Sequence, residues 1–516
     1  MRIKNIALSA ALMTTLCASA DYPVNYEVDF IGALSNSTFA PYYMASNRHG
    51  ILTQGNDALL LAGAWRPLEK NERFSYGFGV QLAGGAQSAT EYTRYYTYDN
   101  YATSDNGVLG AHKVRPNSFR VQQLYGEVKY RSVFLTVGQK DRTSALLNFK
   151  LSSGDVLESG NARSIPQIRV GFIDFQNIPY TRKWLQIQGE VAYGKFTQNN
   201  WMKSHFNYYD GVISLGNYYH YKRMYFRTNP EKPFSATFGG QVACIFGGTT
   251  YQYDNGKLIY EHKNRSGFQA FWQAFIPRDN GIEEYVEGSH LGTWDIVLRY
   301  RFRNGTKLKA YLQNLWEDGS GMGKLNGWDG LWGLEYKAAK EGIVSGAVIE
   351  YVDFRNQGGP VHWDPADKIN SGTTIGYTQT TGNDNYYNNS FYNSYANYSM
   401  GIGTPFMKSP IYYQNGLLTY QDNRMQGVHI GLLGNPAKGL EYRLLWSWRR
   451  SVGTYSRPLP EPIRGTSFMA EANYNVAGIS GLKVGAQIAC DHGKLFGNNF
   501  GASVSVSYSG IFNFRK

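Results

Sequence analysis

The chain has 516 residues, with 51 Lys and Arg against 39 Asp and Glu, and a formal net charge of +12. Charged residues are 17% and aromatics 15%, led by 41 Tyr, while the mean hydropathy is only -0.42. These values exclude a bundle of membrane-spanning helices, each of which needs a run of about 20 apolar residues. They also exclude a disordered chain, because aromatic residues are too plentiful. They fit an all-β, transmembrane antiparallel β-barrel, in which only every second residue of a strand faces lipid.

Met1 to Lys4 carries two bases, an apolar run extends from Ile6 to Leu16, and Ala18-Ser19-Ala20 follows. This is the layout of a secretory signal over residues 1–20, leaving 21–516 as one barrel domain. Leu16 is too bulky for a lipoprotein signal at Cys17. Cys244 and Cys490 then remain, and their pairing stays open. The rest of the chain keeps a basic surplus. An exported basic surface suits an anionic glycan or a lipid head group, and does not suit nucleic acid.

The strands are read from period two. Leu124, Gly126, Val128 and Tyr130 alternate with Gln123, Tyr125, Glu127 and Lys129, and the return strand sets Val133, Leu135 and Val137 against Phe134 and Thr136. Leu185 to Gly194 repeats the pattern. Ile296, Leu298, Tyr300 and Phe302 oppose Val297, Arg299, Arg301 and Arg303, and Asn304-Gly305 predicts a type I′ hairpin. Near the end, Ala502, Val504, Val506, Tyr508, Gly510, Phe512 and Phe514 alternate with Ser503, Ser505, Ser507, Ser509, Ile511 and Asn513 as the expected closing strand. The length accommodates about 16–20 strands. Residues 88–118, 139–166 and 355–424 break the alternation. The first and third are expected to be exterior loops, and the region of Arg163 is expected to fold into the lumen as a constriction.

No catalytic motif is present, and no spacing suggests a metal or another cofactor. The nine His are dispersed. Two acidic-aromatic clusters stand out: Trp316-Glu317-Asp318-Gly319 and Trp328-Asp329-Gly330-Leu331-Trp332. Aromatic faces stack on sugar rings and carboxylates bind hydroxyls, so Trp316, Asp318, Trp328 and Asp329 are candidate glycan contacts. The same residues also fit an aromatic girdle at the membrane boundary. Arg299 and Arg301, with Arg303, Lys307 and Lys309, form a second candidate ligand site on the lumen wall. Pairing with acids such as Glu335 is the structural alternative for these bases.

Several segments together resemble the Wzi-type capsule-assembly proteins. They include 41–50 (PYYMASNRHG), 159–168 (SGNARSIPQI), 220–227 (HYKRMYFR), 316–321 (WEDGSG), 328–333 (WDGLWG) and 401–406 (GIGTPF). The resemblance runs in order over almost the whole chain. It implies a barrel of about 18 strands with long extracellular loops, located in the bacterial outer membrane. It further implies a lectin-like, non-enzymatic role in binding and retaining capsular or extracellular polysaccharide, with outer-membrane lipids and a capsule export complex as the expected partners. Arg163 joins the ligand-binding candidates. The alternative function for the same barrel is a diffusion channel, or porin.

Overall fold

The computed structural model describes residues 23–96, 108–277, 288–317, 319–323, 326–357, 362–363, 379–380 and 384–513. The signal-like residues 1–20 and Asp318 lie outside them. Eighteen antiparallel strands close into one barrel. They are β1 Val24–Phe39, β2 Gln54–Arg66, β3 Phe74–Gln87, β4 Phe119–Tyr130, β5 Val133–Gln139 and β6 Gln167–Phe172. β7 Leu185–Lys195, β8 Tyr218–Thr228, β9 Phe234–Phe246, β10 Ser289–Arg301, β11 Lys307–Trp316 and β12 Gly330–Lys337 follow. The ring ends with β13 Gly346–Asp353, β14 Met425–Ala437, β15 Leu440–Gly453, β16 Pro458–Asn475, β17 Leu482–Gly493 and β18 Asn499–Phe512. Closure pairs β1 with β18, from Val24 opposite Phe512 to Ser35 opposite Gly501. Such closure leaves no open strand edge.

The alternation read from the sequence sorts the wall as expected. Leu124, Val128, Leu135, Val137, Val504 and Val506 are exposed on the outside, whereas Glu127, Lys129, Phe134 and Thr136 are buried inside. An apolar exterior and a polar interior suit a barrel bathed in lipid. The hairpin after β10 differs from expectation. Phe302 N–H donates to Thr306 O at 2.9 Å, Gly305 N–H donates to Phe302 O at 3.0 Å, and Gly305 has φ +90° while Asn304 does not reach positive φ. A three-residue loop with glycine at the left-handed bulge position replaces the two-residue I′ turn.

The start of β1, the end of β18 and the short turns lie at one rim, which is the periplasmic rim by the usual asymmetry of such barrels. The long loops lie at the opposite, extracellular rim. Residues 88–118 contain a hairpin, Thr90–Tyr96 with Val108–Val114. A three-stranded sheet, Gly211–Leu215, Thr249–Asp254 and Lys257–Lys263, rises from two neighbouring loops.

Three extracellular segments turn inward and fill the lumen. The first is 40–53: Tyr42 N–H donates to Asp491 at 2.9 Å on β17, and Arg48 meets Glu471 at 3.3 Å on β16. His49 O accepts from Gln122 at 3.1 Å on β4. The second is 140–166. Ser152 and Ser153 donate to Glu350 at 2.7 Å each, Val156 N–H donates to Gln313 at 3.0 Å, and Asp155 accepts from Gln241 at 3.2 Å. Its lowest part reaches towards the periplasmic rim, where Lys150 pairs with Glu441 at 2.7 Å. Buried His429 ties the two segments together, because Tyr43 O–H donates to its Nδ1 at 2.7 Å and its Nε2–H donates to Leu151 O at 2.7 Å. These contacts reach strands around nearly the whole ring.

The third inward segment is 384–424, and it corrects the expectation of an exterior loop for 355–424. Its described part packs onto the second segment: Tyr387 O–H donates to Val156 O, and Ser159 Oγ donates to Gly403 O at 2.7 Å. The sequence expectation places this Asn/Tyr-rich tract on the exterior. Instead, those side chains satisfy buried backbone groups, as when Asn423 donates to Tyr386 O and Asn397 to Arg163 O, both at 2.7 Å. Irregular backbone inside a barrel needs such partners at every turn. Among the described residues, cavities beside the plug measure about 30 Å³ near Arg142 and Arg163 and about 10 Å³ near Met202. A wider hollow of about 580 Å³ opens at the periplasmic rim between Glu27, Lys483, Ser507 and Ser509. Cys244 and Cys490 are free thiols.

Candidate functional site

The sequence candidates fall in three separate places. Trp316 ends β11 on its outward face and is 8% exposed, with its ring covering Gly292 and lying 6.3 Å from that of Trp294. Trp328 is 54% exposed and lies 6.3 Å from Trp332. Both Trp328 and Trp332 line an apolar groove on the outside of the wall with Ile296, Leu298, Leu312 and Tyr351. Strand parity explains this: a tryptophan in phase with lipid-facing residues at the end of a strand enters the interfacial belt, where its amphipathic ring is stabilised. The girdle reading therefore fits Trp316 and Trp328 better than a glycan cleft does.

Asp329 is buried in the turn before β12. Its carboxylate accepts Asn356 N–H at 3.0 Å, and burial, then the neighbouring Asp353, pushes its pKa up to about 8. A carboxyl held this way is a structural part of the turn. Arg299 and Arg301 lie at the periplasmic end of β10, far along the strand from the cell surface. Arg299 donates to Thr237 at 3.0 Å and Arg301 to Glu231 O at 2.6 Å, while Lys309 pairs with Glu335 as the structural alternative had it.

Arg163 sits at the extracellular mouth, where the structure assembles an array that sequence reading missed. Its guanidinium donates to Val121 O at 2.7 Å and lies 4.9 Å over the Tyr398 ring. The Tyr398 ring meets that of Trp201 edge-on at 6.2 Å, and the Tyr398 hydroxyl lies 3.3 Å from Thr197 Oγ1. Trp201 belongs to the short helix Asn199–His205, whose His205 ring stacks on it at 3.6 Å. His205 Nδ1 approaches Trp201 O at 2.7 Å, and burial pushes its pKa down to about 4. Arg163, Tyr398 and Trp201 each keep part of their surface open.

A tight turn sets the position of Tyr398. Tyr398 and Ser399 have φ of +52° and +55° and are the two central residues of the hairpin that pairs Ala396–Asn397 with Met400–Gly401. A two-residue hairpin loop of this kind needs positive φ at both positions. Here Tyr398 N–H donates to Gln198 Oε1, and Ser399 O accepts from Ile411 at 2.9 Å. The result is a planar cation, two aromatic rings and hydroxyls in one row. That set offers apolar ring faces and directional donors to one ligand. The available sequence signal was local: Trp201 and Tyr398 lie outside any alternating run. Among the described residues, no three His, Cys, Asp or Glu side chains converge on a metal site.

No protein-family model and no curated protein matches the chain in sequence. Solved structures do match in fold. Wzi, an outer membrane protein involved in group 1 capsule assembly in Escherichia coli and a carbohydrate-binding β-barrel, superposes with a TM-score of 0.55 at 13% identity, covering 98% of this chain and 88% of that one. OccAB2 of Acinetobacter baumannii gives 0.46 at 9% identity, covering 96% and 99%. OprD of Pseudomonas aeruginosa gives 0.43 at 9%, covering 96% and 97%. The chain thus has the fold of the outer-membrane β-barrels and shares the 18-stranded architecture of Wzi.

Proposed function

We propose that this protein is a lectin-like, non-catalytic barrel that binds capsular or extracellular polysaccharide at the cell surface and helps to retain or assemble it. The observation that carries the reading is the filled lumen capped by an aromatic and basic array. Segments 40–53, 140–166 and 384–424 bond to the wall around the ring, so the extracellular mouth offers a surface for binding in place of an aqueous path. The fold shared with a carbohydrate-binding barrel supports the same reading. Arg163, Tyr398, Trp201 and Thr197 are the contacts assigned here, in place of Trp316, Trp328 and Asp329. A capsule export complex is the second partner that this reading expects.

The test is a pull-down of the purified barrel with the cell's own polysaccharide, together with a glycan array. Retention of an oligosaccharide supports the reading, and silence in both assays removes it. The diffusion-channel alternative has the periplasmic hollow of about 580 Å³ in its favour. It requires steady conductance in planar bilayers.

A further inference from the structure

The loop between β9 and β10 contains the helix Phe268–Phe275, and this helix lies on the outside of the barrel. Its partners identify the face. Tyr193 O–H donates to Phe271 O at 2.8 Å, and the rings of Tyr218 and Phe246 lie 5.3 and 4.9 Å from that of Phe271. Lys222 donates to Phe275 O and rests 4.7 Å over its ring. Tyr218 and Lys222 share strand parity with exposed Met224, whereas Tyr219, Tyr221 and Tyr225 are buried inside. Ala270 and Ala274 face the wall. The helix therefore descends from the level of the extracellular rim to four residues below the start of β8.

The opposite face of the helix is apolar and uncovered. Phe268 is 87% exposed, Trp272 47% and Ile276 39%, and they follow one another at a spacing of four along one stripe. Just before the helix, Lys263 and Arg265 are exposed, and among the described residues no ion pair engages them. We propose that this helix is a lipid anchor. Phe268, Trp272 and Ile276 insert among the acyl chains of the outer leaflet, and Lys263 and Arg265 reach the phosphates of its glycolipid. The stripe continues the lipid-facing belt of the wall, and an amphipathic helix with aromatics below and bases above suits the interface. Lys222 fits the same picture. A cation on a lipid-facing wall is costly, and the carbonyl end of the helix supplies its acceptor. The anchor follows the strand Lys257–Lys263 by a short, pinned link, since Asn264 donates to Gly247 O at 3.2 Å and to Thr250 at 3.0 Å. It thereby fixes the extracellular three-stranded sheet at the membrane surface. This inference does not rest on glycan binding.

The experiment is a depth measurement by spin label on the full chain with Cys490→Ala, refolded in phosphatidylethanolamine vesicles with and without lipid A. Labels go at Phe268→Cys and Trp272→Cys, with Val504→Cys on the lipid-facing wall and Leu109→Cys on the extracellular hairpin as references. All four positions are exposed, and folding is checked by heat-modifiable gel mobility. The expected result is oxygen accessibility at 268 and 272 like that of Val504→Cys, and several-fold lower accessibility to a nickel chelate than at Leu109→Cys. Values at 268 and 272 that match Leu109→Cys overturn the anchor. Lipid A is expected to deepen both labels, and Arg265→Gln with Lys263→Gln is expected to cancel that gain. No gain with lipid A overturns the phosphate contact.

Discussion

Arg163 shows what a single side chain does at the mouth. One N–H of its guanidinium is held by Val121 O, and its face lies over Tyr398. A planar fork placed this way can take a carboxylate bidentately, which a lysine would not do. Arg163→Gln is expected to weaken binding of an acidic oligosaccharide about tenfold, close to 1.4 kcal/mol, while a neutral one changes little. Trp201→Ala should weaken both, and Trp328→Ala neither, when each is read by calorimetry on the detergent-solubilised barrel. His205 adds a pH dependence. Its folded pKa is near 4 against an unfolded value of 6.5, so the helix prefers the neutral ring. That contribution to stability is complete above pH 6.5 and is lost as pH falls towards 4. Hydrogen exchange over 199–205, corrected for intrinsic rate, should therefore speed up at pH 5 relative to pH 7, and His205→Phe should flatten the difference. At this scale little was legible in the sequence. Residue type left Trp316, Trp328 and Asp329 open between sugar contacts and an aromatic girdle with tight turns. Strand parity and turn burial, which only the fold supplies, favour the second reading: Trp328 is exposed on the outer wall, Trp316 is buried at the end of β11 and Asp329 is buried in a turn.

Among the elements, the strands were legible and the plug was not. Period two is a local signal, so the faces of β4, β5, β10 and β18 could be read directly from residues such as Leu124, Glu127 and Val504. The inward fold of 384–424 depends on partners hundreds of residues away, and its Asn and Tyr side chains look the same whether they meet water or buried backbone. Two contacts test how firmly the plug is held. Glu158 lies on the plug and meets Arg169 of β6 at 2.5 Å, while Arg169 also meets Glu190 of β7 at 2.6 Å. Arg169 is buried, so Glu158→Ala leaves its charge only partly compensated. Breaking a buried pair costs about 3–5 kcal/mol, and with Glu190 retained the lower end, about 3 kcal/mol, is expected. Urea unfolding followed by gel mobility reads the loss. Gly403 is the second contact. A Cβ there would lie 2.2 Å from Val156 O and 2.3 Å from the Tyr387 hydroxyl. Gly403→Ala is therefore expected to separate the two inward segments and to produce intermittent conductance in a bilayer where the native barrel is silent.

At the scale of the whole molecule, closure, plug and charge act together. Eighteen strands enclose a lumen wide enough to conduct, as porin-sized barrels do, yet the loops that fill it are tied to the wall by buried ion pairs and backbone bonds. A barrel filled this way leaves its extracellular rim as the surface on which the proposed binding would take place. With the formal net charge of +12 reduced to +10 once Arg2 and Lys4 leave with the expected signal, it should attract an acidic polymer over distances of the order of the Debye length, about 10 Å at 0.1 M salt. Loss of the protein should therefore change where polysaccharide resides and leave its synthesis alone. In a deletion strain, the cell-bound fraction is expected to fall and the released fraction to rise at constant total. Complementation with Arg163→Gln should restore the surface layer only in part, because the plug and the anchor helix remain intact. An unchanged distribution would remove the retention role even if the purified barrel bound sugar, since binding at the mouth matters to the cell only through polymer held at its surface.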